Sequence, residues 1–144
     1  MVSLVERGGK SRTFHVTAEN VRDVIVRNVS RKSVLQTDES NLYVSVGEEF
    51  AKHETVKHSA KEYVRGDVHT NTVEGFFSIF KRGMKGVYQH CGEAHLHRYV
   101  AEFDFRYNNR SGLGVEDTER ASKIIKQAEG RRLTYRRIGE AKNA

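Results

Sequence analysis

The stretch NTVEGFFSIFKRGM, residues 71–84, decides the fold of this chain because it specifies one strongly amphipathic helix. Its apolar residues recur at i, i+3, i+4, i+7 and i+11, which places them within an arc of about 100° on a helix of 100° per residue. They are Val73, Phe76, Phe77, Phe80 and Met84. The spacing predicts a helix over 71–84 that buries this stripe, and Gly83 and Gly86 are expected to weaken and end it.

A second face of the same helix carries polar groups of four different kinds. It lies about 120° from the apolar stripe by the same rotation, and it presents Asn71, Glu74, Ser78 and Lys81. An amide, a carboxylate, a hydroxyl and an ammonium on one face suit phosphate chemistry. The competing interpretation is that Glu74 and Lys81 are ordinary solvent-facing residues of an amphipathic helix.

The remaining patterns predict an α/β chain in which helices cover a mixed sheet. Strands are expected near 2–6, 12–17, 33–37 and 54–58, with Gly8-Gly9 forming the hairpin turn between the first two. Helices are expected near 19–29, 71–84, 94–108 and 116–129. Thr17 is the expected cap of the first helix. A short helix within 41–51, a loop over 61–69 and a basic tail over 130–144 with a short strand at 133–135 complete the prediction.

Composition narrows the class of protein and of partner. The 144 residues suit one core, and the net charge of +6 suits a polyanionic partner such as nucleic acid, although solvated surface charge explains it equally well. The single cysteine, Cys91, excludes an internal disulfide framework and favours a reducing, cytoplasmic location. No stretch approaches the roughly 20 apolar residues of a membrane span, so no membrane partner is expected.

Asp38 gives Glu74 a prospective partner. It ends the apolar run Val34–Thr37, and a strand that ends beneath the 71–84 helix would bring both carboxylates to one metal site. Their hard oxygen ligands suit Mg²⁺, with water or phosphate oxygens filling the other positions. A two-metal phosphoryl-transfer site holds its ions about 3.5–4 Å apart and usually needs a third carboxylate. The competing interpretation is that Asp38 only caps the segment that begins at Asn41.

Several ordered runs resemble one family of proteins. They are VHTNTVEGFFSIFKRG (68–83), YQH (88–90), HRY (97–99), EF (102–103) and FRYN (105–108). These runs look like the ISXO-like transposases of bacterial insertion sequences, which belong to the DDE transposase and integrase superfamily with a ribonuclease H-like fold. The resemblance is dense from about residue 34 to residue 110 and extends back to residue 1.

The resemblance implies a role for each candidate residue. Asp38 resembles the second catalytic aspartate, Glu74 the third acid, and Lys81 the basic residue that follows it. Asp38 and Glu74 would bind Mg²⁺ or Mn²⁺, and Asn71 is a rival or helper for the third position, because some branches use asparagine there. The implied DNA contacts are Lys81, Arg82, Lys85 and His69.

The resemblance also implies that the fold is incomplete. The first catalytic aspartate is expected on a strand upstream of the strand near 2–6. Residues 1–112 would then be a partial, integrase-like catalytic domain that lacks its first strand, and 113–144 a C-terminal helix with a basic tail. The expected function is that of a transposase catalytic fragment, inactive alone, that acts on insertion-sequence ends and target DNA. Two alternatives remain: a truncated DNA-binding or regulatory protein that interferes with transposition, with full-length transposase as a partner, and an unrelated basic α/β protein with a structural role.

Overall fold

A computed structural model describes residues 1–57, 59, 64–66 and 68–131. The chain divides into two compact units at Asn108 and Asn109. In the first unit the strands are β1 (Val2–Val5), β2 (Ser11–Phe14), β3 (Val34–Asp38), β4 (Lys52–Val56), β5 (Val64–Arg65) and β6 (Val68–His69). The helices are α1 (Val21–Asn28), α2 (Val44–Gly47), α3 (Asn71–Gly83) and α4 (Leu96–Asn108). Helix α5 (Asp117–Ala128) belongs to the second unit.

The strands form two-stranded ladders. Among the described residues β1 pairs with β2 antiparallel, β3 pairs with β4 parallel, and β5 pairs with β6 antiparallel. The α/β class is therefore confirmed, but the prediction of one mixed sheet is not met, because no ladder joins β1 to β3 in the described part of the chain. Gly8 adopts a φ of 70° in the hairpin turn, as the Gly8-Gly9 pair predicted.

The outer edge of β2 is covered by α4. The amide of Thr13 donates to Asp104 Oδ2 at 2.6 Å, and the amide of Ser11 donates to Asn108 Oδ1 at 2.6 Å. Asn108 Nδ2 returns a hydrogen bond of 2.8 Å to the carbonyl of Ser11. Asp104 and Asn108 are four residues apart and so share one helix face, which lets two side chains replace a neighbouring strand.

The hairpin separates two apolar clusters. Side chains alternate across a strand, so β1 presents neighbouring residues to opposite faces. Leu4 packs against the first cluster, which contains Val2, Val21, Ile25, Val46 and Phe50. Val5 packs against the second, formed by Phe76, Phe80, Val100 and Phe103 from α3 and α4. Helices α1 and α3 therefore lie on opposite sides of β1.

Several predicted boundaries shift. Strand β2 ends at Phe14 instead of residue 17, and α1 begins at Val21, with Asn20 as its N-cap residue. The prediction that Thr17 caps α1 is wrong: its own amide donates to Asn20 Oδ1 at 2.9 Å. The expected loop over 61–69 contains β5 and β6, and the predicted strand at 133–135 lies outside the described residues.

Helix α3 does not stop where its glycines suggested. It continues beyond Gly83 as a π-helical turn over Met84–Tyr88. Gly83 is helical, with φ −62° and ψ −45°, and it lies where α3 approaches α4: a Cβ on Gly83 would be 2.3 Å from Phe103 Cζ. The glycine serves close helix packing instead of helix termination. The short helix expected within 41–51 is present as α2 and the 3₁₀ turn Asn41–Tyr43 that precedes it.

The second unit contains one α-helix among its described residues. Arg120 on α5 donates from Nε to the carbonyl of Asn109 at 2.7 Å and from Nη1 to Asp117 at 2.6 Å. In the part of the chain that the structure describes, no helix is long and apolar enough to cross a membrane.

Candidate active site and nucleic-acid interface

Asp38 occupies the carboxyl end of β3, as predicted. It is exposed, and its Oδ1 accepts a hydrogen bond of 3.0 Å from the amide of Ser40. The preceding residue, Thr37, is buried and bonds to His53 Nε2 on β4 at 2.8 Å. This contact fixes the strand end, so that the Asp38 carboxylate projects from an anchored part of the ladder.

Glu74 lies in the first turn of α3. Glu74 is exposed, and its Oε1 accepts a hydrogen bond from the hydroxyl of Thr70. In return, the backbone amide of Glu74 donates a hydrogen bond of 3.0 Å to the backbone carbonyl of Thr70. A carboxylate in the first turn of a helix is also favoured by the helix dipole. The Phe76 and Phe80 side chains on the opposite face are buried, so core packing holds Glu74 on the outer side of α3.

Asp38 and Glu74 line one groove, which the side chain of Glu6 also lines. This groove has a volume of about 930 Å³ and runs between β1 and β3, with Asp38, Tyr43, His69, Thr70 and Glu74 among its lining residues. Burial raises the pKa of the Tyr43 hydroxyl above its ordinary value, and the negative charge of Asp38 raises it further. Tyr43 therefore stays protonated at neutral pH and is available as a hydrogen-bond donor beside Asp38.

The donor set fits a hard divalent cation only in part. Carboxylate oxygens are the ligands that Mg²⁺ prefers, and Asp38 and Glu74 each bring a carboxylate to the lining of this groove. Among the described residues, however, no group of three or more His, Cys, Asp or Glu side chains is placed to hold a metal ion. The carboxylates along this groove therefore do not form a three-carboxylate metal site within the described part of the chain.

A second groove next to Glu74 is basic. It has a volume of about 890 Å³ and is lined by Met1, Glu74, Phe77, Ser78, Lys81, Arg82, Lys85 and Gly86. Lys81, Arg82 and Lys85 are all exposed. The seven residues from Glu74 to Lys81 correspond to about 10 Å along a helix axis and turn the helix by nearly two full rotations, so both side chains lie on one face. Glu74 contributes to both grooves and connects them.

His69 and Asn71 have different positions. His69 on β6 lines the groove that holds both carboxylates, and its Nδ1 is buried without a hydrogen-bond partner among the residues that the structure describes. Asn71 is the exposed first residue of α3, and in the described chain it lines neither groove. Its assignment as a rival metal ligand stays a prediction.

Sequence reasoning missed Tyr43 and Thr70. Thr70 is four residues before Glu74, and a hydroxyl beside a first-turn glutamate is a pattern that an inspection for helix caps could have found. Tyr43 carries no such local signal, because its place beside Asp38 depends on how the segment after β3 folds back.

Comparisons with known proteins identify the family. Neither the curated proteins nor the solved structures gave a significant match. A family profile described as the ISXO2-like transposase domain matches residues 1–108, which include both carboxylates and the three cations of the basic groove. Membership connects the chain with transposition of insertion-sequence DNA, in a family that generally uses divalent metals. Because the match spans three quarters of the 144 residues, the chain belongs to the family of ISXO2-like transposase domains.

Proposed function

We propose that this chain supplies part of a metal-dependent transposase active site that cleaves DNA at insertion-sequence ends and transfers the cut strand to target DNA. The observation that supports this most directly is the position of Asp38 and Glu74 on one groove, with Lys81, Arg82 and Lys85 on the groove next to it. Carboxylates beside a row of cations form the combination that binds metal ions together with DNA phosphates.

Asp38 and Glu74 would hold the metal in this proposal. When bound, Mg²⁺ supplies charge stabilisation for the phosphoryl group and lowers the pKa of bound water. The chain's own groups do the positioning: Thr70 orients the Glu74 carboxylate through its hydroxyl, and the Thr37–His53 contact fixes the strand that carries Asp38. Lys81 would contact a DNA phosphate about two helical turns from the carboxylates.

Mn²⁺ binding tests the carboxylate pair independently of catalysis. Paramagnetic Mn²⁺ added to the isotope-labelled chain should broaden the amide signals of Asp38 and Glu74 first. Asp38→Asn and Glu74→Gln should each weaken this binding about tenfold or more, because a charged oxygen ligand is replaced by a neutral one. Glu48→Gln is the matched control, since Glu48 is exposed and lines neither groove. If all three substitutions weakened Mn²⁺ binding equally, the proposal that Asp38 and Glu74 form a metal site would be contradicted.

DNA binding tests the basic groove. The probe is duplex DNA carrying the terminal sequence of the insertion element that encodes the chain. Each phosphate contact contributes about 0.9 to the slope of log K against log salt concentration. Lys81→Ala, Arg82→Ala and Lys85→Ala should therefore each reduce that slope by about one unit, whereas Lys126→Ala on α5 should leave it unchanged. If the control matches the groove variants, binding depends on net charge alone.

The incomplete acid group supports a second candidate function, binding without cleavage. Because no group of three or more His, Cys, Asp or Glu side chains in the described residues is placed to hold a metal ion, we propose that the chain by itself binds element-end DNA and competes with a complete transposase. The expected result is a salt-dependent gel shift with no strand cleavage in Mg²⁺ or Mn²⁺. Cleavage by the purified chain that Glu74→Gln abolishes would instead establish a complete enzyme.

A further inference from the structure

Helix α3 passes into a segment whose backbone is unusual at two adjacent points. Residues Met84–Tyr88 form the π-helical turn, a rare conformation that is often found at functional sites. Immediately after it, the amide of His90 donates to the carbonyl of Tyr88 at 2.6 Å around Gln89, whose φ is 59° and ψ −39°. Gln89 is the one non-glycine residue with a positive φ in the described part of the chain. Turns of this kind are strained and persist only where the surrounding structure holds them.

The π-helical turn brings Tyr88 to the side of the chain that faces α4. On an uninterrupted α-helix, Tyr88 would lie about 80° around the axis beyond Phe80, the residue that meets Phe103 of α4. A π-helical turn bonds residue i to i+5 and so has more residues per turn, which rotates each residue by less and returns Tyr88 toward α4. Its ring packs edge-on against Tyr99 at 4.8 Å between centroids and against Phe103 at 6.3 Å.

The Tyr88 hydroxyl is held by an ion-paired carboxylate of α4. It donates a hydrogen bond to Glu102 Oε2, and the other oxygen of that carboxylate, Oε1, accepts from Arg106 Nε at 3.0 Å and from Nη2 at 2.8 Å. The hydrogen bond to Glu102 raises the pKa of the Tyr88 hydroxyl, and burial raises it further, so the hydroxyl remains a donor at neutral pH. The Tyr88 side chain therefore ties the end of the π-helical turn to α4.

The π-helical turn also carries part of the basic groove. Lys85 lines this groove together with Lys81 and Arg82. Lys81 and Arg82 lie on the regular part of α3, which the second apolar cluster holds in place, whereas Lys85 lies in the turn itself and takes its direction from it. In the described chain Tyr88 lines neither groove. Its effect on the basic groove must therefore pass through the backbone of residues 84–88.

We propose that Tyr88, through its hydrogen bond to Glu102, is a positioning residue that keeps Lys85 directed into the basic groove. This inference rests on the proposed function, in which the cations of that groove contact DNA phosphates. Without the hydroxyl, the turn loses the contact that holds its strained end, and Lys85 is no longer kept in one place. Lys81, on the regular part of α3, keeps its position. The effect is therefore confined to one of the three cations, which distinguishes positioning from a general loss of stability.

A double-mutant cycle in DNA binding tests this positioning. The affinity for the element-end duplex is measured over a range of salt concentrations. In the otherwise wild-type chain, Lys85→Ala should reduce the slope of log K against log salt concentration by about one unit. In a chain that also carries Tyr88→Phe, which keeps the ring and removes the hydroxyl, Lys85→Ala should change the slope little, because Lys85 no longer reaches its phosphate. Lys81→Ala should still reduce the slope by about one unit in both chains.

Variants of the two neighbouring side chains serve as controls. Tyr99→Phe removes the hydroxyl of a ring against which Tyr88 packs and leaves the bond between Tyr88 and Glu102 in place, so the effect of Lys85→Ala should remain complete. Glu102→Gln keeps an oxygen that accepts from the Tyr88 hydroxyl and should also preserve that effect. Glu102→Ala removes the acceptor and should reproduce Tyr88→Phe.

Amide hydrogen exchange gives a readout that does not involve DNA. Tyr88→Phe should speed exchange across residues 84–88 by about tenfold, whereas Tyr99→Phe should leave it unchanged. A Lys85→Ala effect that is equally large with and without Tyr88→Phe would overturn the proposal. If none of the three cations affects the slope in the wild-type chain, the proposed function fails. Unchanged exchange across residues 84–88 in Tyr88→Phe would overturn the positioning role by itself, whatever the DNA measurements show.

Discussion

Gly83→Ala should destabilise the chain, whereas Gly75→Ala on the same helix should stabilise it. A Cβ at Gly83 would lie 2.3 Å from Phe103 Cζ, and ordinary van der Waals contact begins at 3.4 Å, so one group must move by 3.4 − 2.3 = 1.1 Å. Phe103 is 8% exposed and packs edge-on against Phe80 at 5.1 Å between ring centroids and against Tyr88 at 6.3 Å. The ring is therefore held between two aromatic neighbours, and a shift of this size would disturb both contacts.

The two effects of alanine at Gly83 oppose each other. Helix propensity favours alanine over glycine by up to about 1 kcal/mol, and overpacking a well-packed core costs about 1–3 kcal/mol. We expect a net loss of about 1–2 kcal/mol in the free energy of unfolding. At Gly75 no atom lies within 4 Å of the added Cβ, so alanine causes no steric clash there. Its higher helix propensity should raise the free energy of unfolding by about 0.5–1 kcal/mol.

Urea unfolding followed by circular dichroism measures both variants. With a slope of about 1–3 kcal/mol per molar urea for a small protein, the two midpoints should move in opposite directions by several tenths of a molar. A Gly83→Ala protein as stable as the wild type would refute the argument, because it would show that α3 and α4 can separate without cost. If the urea midpoints of both variants moved in the same direction, the packing argument would also be refuted.

Further predictions concern hydrogen bonding, charge and pH. Asp104→Ala removes the acceptor of the Thr13 amide and one partner each of the Ser11 and Thr13 hydroxyls, which keep Asn108 and Ser3 as partners. It should cost about 2–3 kcal/mol in urea unfolding. Asp117→Ala, which removes an exposed ion pair, should cost under about 1 kcal/mol. Burial lowers the pKa of the His53 imidazole below its ordinary value of 6.5. The unfolded chain therefore binds this proton first, and the contribution of His53 to stability, complete above pH 6.5, should be lost as the pH falls through the folded-state pKa. His53→Gln should flatten that pH dependence, and an unchanged profile would contradict the assignment.

Local periodicity predicted the part of the fold that depends on one helix at a time. The stripe in α3 was predicted because the helical repeat is visible in residues 73–84, and Phe76 and Phe80 are indeed buried. Gly83 was misread because its reason is Phe103, twenty positions later in the chain, and a sequence does not display which helices approach closely. The division of the sheet into pairs could not be predicted for the same reason: strand pairing is a long-range property, whereas the strand pattern is local.

The same distinction applies to the site. Asp38 and Glu74 were identified as candidates from a strand end and a helix face, and the structure places both on one groove. Tyr43 and Thr70 entered only with the structure. Spacing alone left the choice open between a metal site and ordinary surface charge, and the family resemblance supplied a role for each residue. The match over residues 1–108 shows that family, and the Mn²⁺ and DNA-binding measurements test the individual roles.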